Sequence, residues 1–290
     1  MTSKSSGKVA TTQKSKSLWH DLPRRALTIC IGFPLVWKIL SNSSLALVFF
    51  ICVHGLVTWE YIVLERKEEK KETKIGLIFC ITSLLLAHIQ VDNFFHFTLG
   101  CTAGIFVWLN RRHWILGLII ITTPFRTWYF VSQDFPSTIS ILLVVWNCDT
   151  GALLFGRLST KSGLRKIPVP TWIQKISPAK SIEGFIGGIL GGTWTAVSWI
   201  PRLVMFFEME TSSTFDKIWE TPTSRFALGV IMSFLAIFGD MVESAIKRQS
   251  NSKDSGSLLP GHGGILDRFD SSLFSVNFYY LLIGYLQSKG

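Results

Sequence analysis

Apolar residues run along this chain in long blocks, at approximately 26–41, 43–64, 75–90, 94–110, 114–131, 139–156, 182–205, 226–246 and 271–287. A bilayer core needs about 20 apolar residues in a helix, which several blocks approach. No alternating apolar–polar pattern marks a barrel, and open strands leave backbone groups unsatisfied in lipid. The pattern predicts an all-α polytopic membrane protein with about nine transmembrane helices.

The loops supply an independent test. Basic residues fill the N-terminal tail, the segment Glu65–Lys74, Arg111–His113, the stretch 157–181 and the start of 247–270. With nine spans all of these fall on one side. The other side receives loops near Asp92 and Asp134 and an acidic loop with Glu208, Glu210, Asp216 and Glu220. Lysine and arginine accumulate in cytoplasmic loops, so the N-terminus is predicted to be cytosolic. The pattern assigns an integral, multi-pass protein without singling out a membrane.

Composition agrees. Charged residues make up 17% of the 290, against about 25% in soluble domains. That apolar excess excludes disorder for most of the chain. The net charge of +10 would suggest nucleic acid in a soluble protein. Here the basic loops account for it, so anionic lipid and anionic substrates are the expected partners and nucleic acid is not. The five cysteines lie in apolar blocks without a CxxC pair, which excludes a disulfide scaffold. No histidine pairs with a cysteine at zinc spacing. Residues 1–25 form a basic, polar tail without an apolar signal core and read as a cytosolic tail, with a transit peptide as the alternative. Residues 26–290 form one transmembrane domain, with the candidate chemistry in 146–270.

The densest polar region is 239–270. Asp240, Glu243 and Lys247 share one helical face. Asp240 lies about 10 Å from Lys247 along the axis, inside the membrane from its cytosolic edge. An ionisable group there costs at least about 2.5 kcal/mol and needs a cation or a watered cavity. Asp254, Asp267 and Asp270 follow, and a loop can fold Asp267 back beside Asp240. Two close carboxylates repel unless a positive charge intervenes. Magnesium suits such oxygens together with substrate phosphates. Lys247, Arg248, Lys253 and Arg268 can hold further phosphate oxygens. The segment Pro260–Gly264, with Gly261, His262, Gly263 and Gly264, lets backbone approach a ligand closely. Metal-assisted chemistry on a phosphate substrate is the reading these residues support.

Two clusters precede it. Asp149 lies within the sixth block as a ligand-binding or helix-bonding residue. In 177–192, Ser177 and Pro178 read as a helix N-cap and first residue, with Lys180, Ser181 and Glu183 as site candidates. The glycines at 184, 187, 188, 191 and 192 read as a close helix-packing seam. No nucleophile–base pair is evident, so a reaction without a covalent protein intermediate fits best.

At these residues the chain resembles the phosphatidate cytidylyltransferase (CDP-diacylglycerol synthase) family. The family signature is met by Ser244, Lys247, Arg248, Lys253, Asp254, Gly256, Leu259, Pro260, Gly261, His262, Gly263, Gly264, Asp267, Arg268 and Asp270. The runs Asp149–Ala152 and Ser177–Gly188 resemble the family too, with Ser181 where threonine is usual. The resemblance implies transfer of the cytidylyl group of CTP to phosphatidate, giving CDP-diacylglycerol and pyrophosphate for phospholipid synthesis. It implies that Asp240 and Asp267 hold magnesium, with room for a second cation. A lipid phosphate is already anionic, so no strong base is needed. Bringing two anions together is the obstacle, which a metal and cationic side chains remove. A homodimer is compatible with such an enzyme. Two alternatives stay open on the residues alone: a CTP-dependent polyprenol or phytol kinase, and an ion-coupled transporter. The complete signature disfavours the kinase, and the absence of repeated halves disfavours the transporter.

Overall fold

Leucine, isoleucine, valine and phenylalanine crowd the blocks that fold as helices, and polar turn residues end them. The computed structural model describes residues 32–65, 113–161, 167, 169–252, 254–256, 258 and 263–289. These residues are helical between turns, with no strand among them. In order they form α1 (32–40), α2 (Ser43–Glu65), α3 (His113–Val131), α4 (Phe135–Lys161), α5 (Thr171–Ile176) and α6 (Ile182–Trp194). After a π-helical stretch, Thr195–Trp199, come α7 (Ile200–Phe206), α8 (Ser213–Trp219), α9 (Pro222–Gln249), α10 (Leu266–Phe269) and α11 (Ser272–Lys289). The blocks at 75–90 and 94–110 and the basic tail lie outside the described residues.

Among the described residues, three helices are long and apolar enough to cross a bilayer: Ser43–Leu64, Phe135–Ser159 and Pro222–Gln249. By length and composition they mark an integral membrane protein of helical class. Large apolar side chains remain exposed on them and on the 182–206 run, among them Leu153, Leu158, Trp194, Phe206 and Phe234. The block expected at 182–205 is not one uniform α-helix. Pro201 has no N–H to give and would crowd the carbonyl one turn back. The preceding residues take the wider π register instead. The expected acidic loop with Glu208, Glu210, Asp216 and Glu220 carries α8, which buries Phe215, Ile218 and Trp219.

Two assemblies meet at the centre. In the first, α4, α6 and α9 approach closely because glycines face one another. A Cβ on Gly151 would lie 2.3 Å from the Gly187 carbonyl oxygen, and one on Gly191 would lie 2.6 Å from that of Asn147. A Cβ on Gly229 of α9 would lie 2.6 Å from Thr193 Cα. The glycine run is therefore a packing seam, as the sequence suggests.

In the second, α2, α3 and α11 bury an aromatic cluster. Phe50 stacks on Trp128 with centroids 4.7 Å apart, and Phe269 meets both rings edge-on. Tyr279 closes the far end, accepting from Trp219 Nε1 at 2.9 Å and bonding Ser137 Oγ at the same length. Phe269 lies between Asp267 and Asp270, so this cluster fixes the polar segment of α10 against the bundle.

Candidate active site

Helix α9 starts with a capping box between Thr221 and Ser224 and a first-turn proline. It then runs unbroken for 28 residues, delivering Asp240, Glu243, Ser244 and Lys247 on one side. The turn after α10 brings Asp270 against that side. One carboxylate oxygen from each of Asp240, Glu243 and Asp270 lies within 4.8 Å of the others. Glu243 and Asp270 are buried, whereas the Asp240 side chain keeps 34% of its surface exposed. Ser244 Oγ donates to Asp240 Oδ1 at 3.3 Å. Ser271 Oγ lies 3.1 Å from both oxygens of Asp149 and 3.3 Å from Asp270 Oδ1, joining the α4 acid to the group.

Lys247 is the internal cation. Its ammonium pairs with Glu243, one turn back, and donates to Asp267 Oδ1 at 2.8 Å. Asp267 also accepts from the Gly264 N–H at 2.8 Å and from the Ser255 N–H at 3.2 Å. Burial pushes the Asp267 carboxyl up, but the bonds from Lys247 and Gly264 outweigh it and hold it below the ordinary carboxylate value. Asp267 is not a member of the three-carboxylate group. The residue that folds beside Asp240 and Glu243 is Asp270, while Asp267 turns to Lys247. Gly263 reaches this turn at φ +84°, where a Cβ would also stand 2.8 Å from Asp267 Oδ2. Only glycine meets both conditions without strain.

The segment before α6 differs from its expected form. Ser177 is not the N-cap; it closes α5, and 178–180 form a turn. The N-cap is Ser181, in extended conformation, whose Oγ accepts from the Gly184 N–H at 3.2 Å. The turn ending at Lys180, whose N–H returns to the Ser177 carbonyl at 3.2 Å, prevents an earlier start. Lys180 then projects toward α9, placing Nζ 2.6 Å from Asp240 Oδ2. Glu183 accepts from the Ile167 N–H at 2.8 Å, bracing the preceding loop.

The remaining candidates divide. Arg248 is exposed and donates to the carbonyls of Ile176 and Ser252, tying α5 to the end of α9. Asp254 and Arg268 are exposed at the rim. Lys253, Gly261 and His262 lie outside the described residues.

Sequence reasoning passes over Glu60. This α2 residue is 3% exposed and accepts from the backbone of Ile265 and Leu266. Its signal is an acid inside an apolar block, the same signal that singles out Asp240.

Three clustered carboxylates form a donor set of hard oxygens, the type that suits magnesium. Burial, followed by the facing Asp240 and Asp149 carboxylates, pushes the Asp270 carboxyl up. A divalent cation would relieve that repulsion, so the residues fit the metal that the resemblance implies.

The sequence is 43% identical over 179 residues to a phosphatidate cytidylyltransferase of Staphylococcus haemolyticus, covering 61% of each chain. It is 41% identical over 144 residues to one from Bacillus subtilis, covering 49% of this chain and 45% of that protein. For one from Staphylococcus aureus the figures are 41% over 143 residues, 49% and 46%. The chain thus spans less than two thirds of the length of the curated relatives it matches. The model of the cytidylyltransferase family is broader, extending from residue 23 to residue 286 across both helical assemblies and the acidic site between them. By that extent the chain belongs to the cytidylyltransferase family.

Proposed function

We propose that this protein transfers the cytidylyl group of CTP to phosphatidate, producing CDP-diacylglycerol and pyrophosphate. A phosphate oxygen of phosphatidate attacks the α-phosphorus of CTP, the bond to the β-phosphate bridge breaks, and pyrophosphate leaves with the electron pair. The observation that carries the reading is the convergence of the signature residues Lys247, Asp267 and Asp270 on the Asp240 face of α9, with Lys180 arriving from a third segment. The relatives named above support the substrates.

The residues divide the work. Asp240, with Asp267 on the family resemblance and with Glu243 and Asp270 on proximity, would hold magnesium. When bound, the cation supplies charge neutralisation for the nucleotide phosphates. Lys180, beside Asp240, is placed to steady a phosphate oxygen. Lys247 keeps Glu243 and Asp267 compensated and oriented. The partial exposure of Asp240 leaves an approach for substrate. We further infer nine spans and a cytosolic N-terminus, which put the site at the cytosolic edge. There CTP arrives from water, while phosphatidate enters sideways from the bilayer between apolar helices.

The test is pyrophosphate release from CTP by purified protein in mixed micelles, with and without phosphatidate and magnesium. Release that requires both, and that Asp240→Asn and Asp267→Asn abolish, is the expected result. CDP release with a lipid alcohol, and no response to phosphatidate, would overturn the proposal.

A further inference from the structure

Glu60 stands near the end of α2, 195 residues from the nearest part of the signature it touches. Its Oε1 accepts from the Ile265 N–H at 2.9 Å, and its Oε2 accepts from the Leu266 N–H at 2.9 Å and the Ser255 hydroxyl at 3.2 Å. A carboxyl group buried in an apolar helix is costly unless donors surround it. All three donors come from the two arms of the loop between α9 and α11.

Asp267 accepts from the same two arms. Ser255 gives its hydroxyl to Glu60 and its N–H to Asp267. The Gly264 N–H goes to Asp267, and the next two N–H groups go to Glu60. The glycines supply the space. A Cβ on Gly256 would lie 2.6 Å from Glu60 Oε1, and one on Gly264 would lie 2.6 Å from Oε2. Two glycines of the signature therefore leave room for an acid that the signature does not contain.

We propose that Glu60 is a positioning residue, setting the 254–256 and 263–266 arms so that Asp267 meets Lys247 and the acidic group in working register. The inference rests on the reaction proposed above. Glu60 acts through the arms, so its loss affects turnover more than nucleotide binding. A displacement of about 1 Å in such a site costs on the order of 100-fold in rate.

The variant is Glu60→Gln, of the same shape. Either orientation of its amide sets an NH2 against a backbone N–H, leaving one donor unmatched. Full-length wild type, Glu60→Gln and Val63→Ala, an exposed change on the same helix, are compared in mixed micelles. We expect kcat per folded molecule to fall about 100-fold in Glu60→Gln, with KM for CTP within about threefold, and Val63→Ala to match wild type. Hydrogen exchange at residues 263–266 should quicken in Glu60→Gln, without any substrate present. Unchanged kcat per folded molecule, or unchanged exchange there, would overturn the inference. Wild type that ignores CTP and phosphatidate would instead indict the proposed reaction, and the exchange result would still decide the clamp. If Glu60→Gln yields no folded protein, Ser255→Ala replaces it. Loss of that one donor should lower kcat about tenfold, and full turnover would overturn the inference.

Discussion

Lys247 Nζ lies 2.8 Å from Asp267 Oδ1 while also pairing with Glu243, so one buried ammonium compensates carboxylates from two separate elements. Removing the cation alone takes the compensating charge from both acids, leaving Asp267 its bonds from the Gly264 and Ser255 N–H groups. Lys247→Met should destabilise the protein by about 3–5 kcal/mol, as for other broken buried pairs. Adding Glu243→Gln should restore part of that loss. Chemical denaturation in micelles, analysed as a double-mutant cycle, measures the coupling. Strictly additive losses would show that the two side chains act independently.

The Lys180–Asp240 pair predicts a different balance. It lies at a partly exposed rim, where an ion pair contributes at most about 1 kcal/mol. Lys180→Ala should therefore leave thermal stability nearly unchanged. If the ammonium steadies a phosphate during reaction, kcat should fall on the order of 100-fold. Paired melting and kinetic measurements separate the two effects.

Asp267 makes a prediction about pH. Its folded value is held below the ordinary one, so the unfolded chain takes up the proton first as pH falls. Its stabilising contribution is complete above about pH 4 and is lost as the pH drops through the lower folded value. In EDTA, wild type should lose stability across that acid range, and Asp267→Asn should lack this component. Identical acid profiles would contradict the assignment.

Glycine substitutions should act with opposite signs at two places. Gly151→Ala forces a methyl group to within 2.3 Å of the Gly187 carbonyl oxygen and should cost about 1–3 kcal/mol. Gly55, within α2, has none of the described residues within 4 Å of where a methyl group would stand. Gly55→Ala should therefore stabilise by about 0.4–1 kcal/mol. Thermal melts of the two variants distinguish a tight seam from glycines that are merely tolerated.

Local pattern makes much of this legible. The apolar blocks within the described residues fold as helices, the glycine run packs against α4, and Asp240 and Lys247 share a face of α9. Capping reads one turn early in the sequence, because Ser177-Pro178 and Ser181 offer competing start signals and only the turn at Lys180 decides between them. The pairing of acids is harder. Asp267 and Asp270 are three residues apart, and which one turns to Lys247 depends on N–H groups from Ser255 and Gly264. Glu60 is hidden for the same reason: its donors are supplied by a segment about 200 residues away, beyond the reach of any local spacing.

That distance bears on how the protein can be recombined. An exchange of the signature-bearing half with a relative would part Glu60 from the amides at 265 and 266, although every motif residue travelled intact. On the proposed role of Glu60, the smallest transplantable catalytic unit is discontinuous, joining the late loop to α2, the early helix among the described residues whose acid accepts from it. Chimeras joined between α2 and α9 should work only when the incoming loop meets an acid at the position of Glu60.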